Sequence, residues 1–485
     1  LADNERHLSR LRIGITHTAE SNLITEVIAR YSREENGTVI TMITDSINNL
    51  YTMLGNYELD LAIVEGKPYK VRDVFISGNK WTKDHVIRRE LAIEPDDPVD
   101  KHLISASKSR LMGMGYFNKV EAVSINSPEA DRKDIDIRVE EKNFLNAKIG
   151  AGWSDSDSLA GMIELTHSNM DILDPYNYFT GGGQRARILA MYGLKRYNFE
   201  ADFTEPWLFG IPLRWDVSGY LRNVEYDDWE EQRIGVTTAL TKRIFDDFTT
   251  ISGGYTFEHV RIHSMSKHMS EVFQKEKGGS YVGRFHLSLE RDTRDNALDP
   301  TSGYMVNLLG SVSSELFGGT NNYYRLELKG MNYYSIFDKM FIWSIGGKIG
   351  MIGSIGDWKK DPPLSERYFL GGGDSVRGFP YRSIGPTDRN KDNYGGDFMY
   401  VLTSEISHPI WDFVRGAVFI DVGNATHSRF GPFSSPNIGV GYGLRIKLPV
   451  VNAPIRLDLA YPLLNNQRGV ANRIRFHFSM GLSMF

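Results

Sequence analysis

The sequence predicts a mainly β protein whose larger part, residues 143–485, is a membrane-spanning antiparallel β-barrel of about sixteen strands. Three observations predict it. Helical spacing disappears after residue 145, and apolar and polar residues alternate from there to the C-terminus. The alternating runs are about ten residues long, which suits a tilted strand crossing a bilayer. No run of about 18 apolar residues offers a helix to cross instead. An α/β segment (1–66) and a small α+β domain (67–142) precede the barrel.

In the first segment, LRIGIT (11–16), TVITMIT (38–44) and LDLAIVEG (59–66) are strand candidates. Leu23, Ile24, Val27, Ile28 and Tyr31 stand at helical spacing, and Ile47, Leu50 and Leu54 mark a second helix. A βαβαβ order of this kind predicts a small parallel sheet.

The next domain has the order β-α-α-β-β. YKVRDVFISGN is a strand closed by Gly78-Asn79. Thr82 is placed to cap a helix carrying Val86, Ile87 and Leu91, and Asp100 to cap one carrying Leu103, Ile104, Ala106 and Leu111. Gly113 and Gly115 end the second helix. FNKVEAVSI (117–125) and DIDIRVEE (134–141) complete the set.

In the barrel region one face of each run is apolar and the other polar. Leu213, Trp215, Val217 and Leu221 oppose Arg214, Asp216, Ser218 and Arg222. Leu326 and Leu328 oppose Arg325, Glu327 and Lys329, and Ile474, Phe476, Phe478 and Met480 oppose Arg475, His477 and Ser479. The same contrast separates Ala186, Ile188 and Tyr192 from Arg185 and Arg187. The chain is 41% hydrophobic and 24% charged, a soluble-looking average that hides two opposite faces. Aromatic content of 12% and 47 glycines suit strands, turns and aromatic girdles.

Several function classes are excluded. A net charge of -5 gives no general case for nucleic acid binding. With no cysteine there is no disulfide, thiol nucleophile or cysteine-based zinc site. The opening LADNERHLSR is not a signal peptide, so an exported protein has had its signal removed or replaced. His263 and His268, near Glu258 and Glu271, read as an extracellular loop rather than a metal site. RDTRDNALDP (291–300) lacks calcium-loop spacing and reads as a strand end with a turn. GGGQR (181–185) and GGGD (371–374) lack the lysine and following helix of a phosphate loop. No catalytic constellation emerges, so an enzyme, a cofactor and a metal are not expected.

One segment, GGGDSVRGFPYRSIGP (371–386), resembles the V-R-G-F signature of the BamA-type outer-membrane protein insertase family, through Val376, Arg377, Gly378, Phe379 and the trailing Ile384-Gly385-Pro386. GGDFMYVLTSEISHPI (395–410) and AVFIDVGNA (417–425) are similar to the strands that follow it there. The resemblance implies an extracellular loop folded back into the barrel lumen, with Arg377 paired to the inward Glu405 and Asp421. Arginine suits that role because its planar fork grips carboxylates at two points. A wet lumen would make the pair a geometric device more than a stabilising one. The terminal Phe485 is similar to the aromatic end signal of such barrels. Residues 69–142 resemble a POTRA domain, the periplasmic module that precedes these barrels.

The resemblance further implies an outer-membrane location, unfolded outer-membrane protein clients, contact with outer-membrane lipid and periplasmic lipoprotein accessory subunits, with no nucleic acid. Its mechanism would use a weak lateral seam between the first and last barrel strands, through Ile149, Gly150 and Gly152 on one side and Phe476, Phe478 and Phe485 on the other. The alternative is a transporter of the same build that exports a partner protein, of the two-partner secretion or translocation-assembly type.

Residues 11–66 resemble the opening of the effector-binding domain of LysR-type transcription regulators, through Thr16-His17-Thr18 and ELDLAIVEG (58–66). That resemblance implies Thr16, Thr18 and Ser21 as contacts to a small anion. Only the opening portion of one subdomain is present, so a working effector cleft is not expected.

Overall fold

A computed structural model describes residues 10–15, 39–44, 47–56, 58–63, 69–129, 131–154, 158–226, 229–267, 269–356, 361–388, 390–427, 433–447 and 455–480. The chain divides into two compact units after Lys142.

The first unit holds two small sheets. In one, β1 (Arg10–Ile15) lies between β2 (Val39–Thr44) and β3 (Leu61–Ile63), all parallel, with α1 (Ile47–Gly55) between the second and third strands. Arg12 meets Asp60 at 3.0 Å. Thr16, Thr18, Ser21 and the helix expected at 21–31 fall outside the described residues.

The second sheet has β4 (Lys70–Ser77) parallel to β6 (Arg132–Glu141) and β5 (Phe117–Asn126) antiparallel to it, in the order β4-β6-β5. Helices α2 (Asp84–Arg88) and α3 (Lys101–Gly113) supply Val86, Ile87 and Leu111 to a core with Val71, Val74, Ile135 and Ile137. Asp100 caps α3 by accepting from the His102 N–H at 2.7 Å. Thr82 is not the cap of α2. Lys83 holds that position without a side-chain capping bond to the helix, while Thr82 is buried and its N–H donates to the Glu141 carboxylate at 2.7 Å.

The second unit is one sheet of sixteen strands, each antiparallel to the next in sequence. They are β7 (Leu145–Ser154), β8 (Ser158–Met170), β9 (Gln184–Gly193), β10 (Arg196–Glu205), β11 (Arg214–Glu225), β12 (Glu230–Arg243), β13 (Thr249–His263), β14 (Gly278–Asp292), β15 (Gly303–Ser313), β16 (Tyr323–Ile336), β17 (Phe341–Ser354), β18 (Phe398–Trp411), β19 (Val414–Thr426), β20 (Asn437–Ile446), β21 (Ile455–Leu464) and β22 (Arg475–Met480). The first and last lie side by side, which closes the barrel. No helix among the described residues is long and apolar enough to cross a membrane.

Alternation sorts the side chains. Ile149, Ile188, Leu287, Leu402, Val418 and Leu459 are each more than half exposed. An apolar belt of that kind is an aggregation hazard in water and is solvated by hydrocarbon in a bilayer. Their neighbours point inward and pair. Arg187 donates to Asp202 at 2.7 Å and to Glu200 at 2.9 Å, and Lys348 meets Glu327 at 3.0 Å.

The stretch 259–279 is less of a loop than its polarity suggests. Residues 259–263 continue β13, Glu258 points into an interior ion network, and α4 (Glu271–Gln274) follows. Phe273, Met265 and Met269 pack with Trp229 and Leu364, because a loop turned inward can bury apolar residues that a solvated one cannot. Asp295, in the 291–300 turn, accepts from the Thr301 N–H and hydroxyl, and these bonds hold its carboxyl below the usual range.

Candidate functional site

The site grows out of the connection between β17 and β18, residues 355–397. It lies at the barrel end opposite to the one where the chain enters β7. Its short bridges, Tyr368 with Gly396, Leu370 with Ile384 and Thr387 with Asn393, fold it on itself. Val376, Phe379 and Ile384 are fully buried with Val260, Val282, Tyr323, Ile352 and Val401 from the barrel wall. The loop therefore fills the lumen with an apolar plug, and within that plug sits a charge.

Arg377 has no solvent-exposed surface. Its Nε donates to Asp421 Oδ2 at 2.7 Å and its Nη2 to Asp421 Oδ1 at 2.8 Å. Nη1 donates to Glu405 Oε2 at 2.9 Å and lies 3.5 Å from Asp458 Oδ2. The main-chain N–H of Arg377 also reaches Asp421, at 3.1 Å. The guanidinium plane sits 3.3 Å from the centre of the Phe419 ring, a cation–π contact. Around it, Thr403 donates to Asp421 at 2.7 Å, and Arg445 bridges Glu405 at 2.7 Å and Asp458 at 2.6 Å.

These partners come from β18, β19, β20 and β21. Thr403 and Asp421 are directly opposite each other in the ladder, as are Asp421 and Gly439. Gly439 admits the loop: a Cβ there would lie 1.8 Å from the Arg377 carbonyl oxygen. Gly378 has φ +91°, in the left-handed region that glycine adopts without penalty. Its N–H donates to His477 Nε2 at 2.9 Å, and its carbonyl accepts from Arg475 Nε at 3.0 Å.

The expectation of a wet pair is corrected. With Arg377 and Asp421 both inaccessible, desolvation is complete, and removal of either partner would strand a buried charge. Sequence reasoning named Glu405 and Asp421 but missed Asp458, Arg445, Thr403 and Phe419. For Arg445 and Asp458 a signal was there: charged residues at inward positions of late strands, in LRIKL and IRLDLA.

A second set of charges holds the same loop. Glu366, 2% exposed, accepts from Arg233 Nη1 at 2.9 Å and Arg284 Nη1 at 3.0 Å. Its main-chain carbonyl accepts from Arg325. Burial by itself would raise the Glu366 pKa; the three guanidiniums outweigh it and hold the group at about 2. Among the described residues no three His, Asp or Glu side chains form a group that could hold a metal.

The seam residues are placed as follows. Gly150 and Gly152 lie in β7, opposite Met162 and Ala160 of β8. Ile149 is 84% exposed. Phe476 and Phe478 lie in β22, opposite Leu459 and Leu457 of β21. Phe485 falls outside the described residues. The β21–β22 ladder covers six pairs. Among the described residues no backbone ladder joins β22 to β7.

A membrane-spanning sixteen-stranded barrel, headed by a small α+β domain and plugged by its own pinned loop, defines the class of protein. The sequence matches the Omp85 superfamily domain over residues 178–484 and the POTRA-type surface antigen variable number repeat over residues 69–142. The chain belongs to the Omp85 superfamily, as an outer-membrane barrel with its POTRA domain in the periplasm. It is 24% identical over 435 residues to the outer membrane protein assembly factor BamA of Nitratidesulfovibrio vulgaris, an alignment that covers 87% of this chain and 52% of the relative. The chain thus spans about half the length of that curated relative. Among solved structures it resembles BamA from Haemophilus ducreyi lacking POTRA domains 1–3, with TM-score 0.70 and 19% identity over 92% of this chain and 87% of that one. It also resembles CdiB from Acinetobacter baumannii, with TM-score 0.58 and 11% identity over 98% of this chain and 90% of that one.

Proposed function

We propose that the protein folds and inserts β-barrel proteins into the outer membrane through a lateral seam between β7 and β22. The observation that carries this reading is the weak junction of first and last strands: they adjoin, and among the described residues no ladder ties them. Strand edges present unpaired N–H and C=O groups that template a further strand without demanding a sequence. The relatives named as outer membrane protein assembly factors support it.

The POTRA domain has an edge of its own for a client strand. The outer edge of β4 is covered by residues 96–99, which bond to Tyr69 and Val71. β5 is the other edge of that sheet, and Val123 and Ile125 on it are exposed. Work of this kind needs no covalent chemistry, so the protein is not an enzyme and uses no cofactor. Periplasmic lipoprotein subunits would assist, and outer-membrane lipid would receive the product.

Depletion in cells tests the reading. General loss of outer-membrane barrel proteins is the expected result. Loss of a single secreted protein, with barrels intact, would replace this function by export of a partner protein.

A further inference from the structure

Glu366 belongs to no part of the V-R-G-F motif, yet it is buried almost as deeply as Arg377 in the same loop. Its three arginines come from alternate strands of one stretch of wall: Arg233 from β12, Arg284 from β14 and Arg325 from β16. Arg233 also donates to the Ser365 carbonyl at 2.7 Å, so backbone and carboxylate are gripped together. The wall's own acids in contact with this cluster are Glu231, Glu258 and Glu327. Glu258 is shared with Tyr220 at 2.9 Å, and Glu327 with Lys348 at 3.0 Å. The loop excludes water from this cluster, and Glu366 supplies the charge and acceptors that the three guanidiniums then lack.

The groups that receive Arg377 are of the opposite sign, Glu405, Asp421 and Asp458 on β18, β19 and β21, with Arg445 beside them. The loop therefore offers its anion to three arginines and its cation to three carboxylates. A loop inserted the other way round would set like charges together on both sides.

We propose that Glu366 is a positioning residue. It fixes the place and direction in which the loop crosses the lumen, so that Arg377 is presented to Asp421. Its loss releases the motif although every motif residue is intact. The inference holds whatever the barrel's client is, and its test does not involve insertion.

The cysteine-free sequence makes the test clean. Val376, fully buried, is replaced by Cys as a reporter in the full chain, refolded in phospholipid vesicles and labelled with a maleimide. The parent V376C is expected to label slowly. Adding Glu366→Gln should speed labelling about tenfold or more in a barrel that still gives the heat-modifiable folded band, because one local closing interaction is lost. Glu366→Asp should restore part of the protection, and Glu315→Gln, in an outer turn, should change nothing. Labelling of the folded E366Q chain at the parent rate would overturn the proposal. If E366Q gives no folded band, Arg325→Gln decides in its place: severalfold faster labelling sustains the proposal and an unchanged rate sinks it.

Discussion

Arg377 and Asp421 are joined by two parallel hydrogen bonds, at 2.7 and 2.8 Å, and neither side chain is reached by solvent. The fork geometry is why the position requires arginine. A lysine keeps the charge but has one nitrogen in place of a planar fork, so it cannot reproduce the paired bonds to Asp421 together with the bond to Glu405.

Asp421→Asn should therefore destabilise the closed barrel by about 3 kcal/mol, because it leaves a buried guanidinium short of charge. Arg377→Lys should fall between this variant and the native chain. Urea midpoints of the heat-modifiable band measure both. A midpoint for D421N equal to the native value would contradict the assignment.

The close approach at Gly439 gives a steric prediction. Gly439→Ala places a methyl group 1.8 Å from the Arg377 carbonyl oxygen. The loop or β20 must shift, at a cost of about 1–3 kcal/mol. V376C labelling should accelerate in this variant although no charge has changed.

Glu366 predicts a pH dependence with a definite sign. Its folded pKa, about 2, lies below the ordinary carboxylate value, so its contribution is complete above about pH 4.5 and lost as pH falls through about 2. Hydrogen exchange of residues 361–370, compared between native chain and E366Q, should differ by a constant factor from pH 7 to 5. The difference should shrink below that range. A difference that shrank instead between pH 7 and 5 would show that the carboxylate is not held by its arginines.

The seam can be locked. Disulfides scanned between single cysteines on β7 and β22 form against a cysteine-free background. Oxidised barrels should lose client insertion and regain it on reduction. Normal insertion by a locked barrel would rule out the lateral route.

In the POTRA domain, Arg72 donates to both oxygens of Asp134, at 2.8 and 2.7 Å, and Asp134 is buried. Arg72→Ala should cost about 1–3 kcal/mol, the penalty of an unmet buried acceptor. Val123→Lys, on the exposed edge strand, should shift stability by less than about 0.5 kcal/mol while weakening client capture. Proteolytic stability of residues 69–142 and client cross-linking separate the two effects.

The sequence by itself determined which side chains face lipid and which face the lumen. Period-2 alternation is a local property, and Leu326-Glu327-Leu328 needs no distant partner to declare its two faces. It also located the V-R-G-F loop, whose glycine and arginine are legible as a motif. The polar stretch 259–279 misled, because an inward loop obeys burial and not the rule that loops face water.

Only the tertiary structure decided what the loop's charges meet. Asp421, Glu405 and Asp458 are 44, 28 and 81 residues from Arg377, and Arg233 is 133 residues from Glu366. Inward charges occur on most strands, so the sequence offers many carboxylates and arginines of equal standing. Strand register and the path of the loop select among them. Burial then makes the selection binding, because a desolvated charge tolerates no other arrangement at comparable energy.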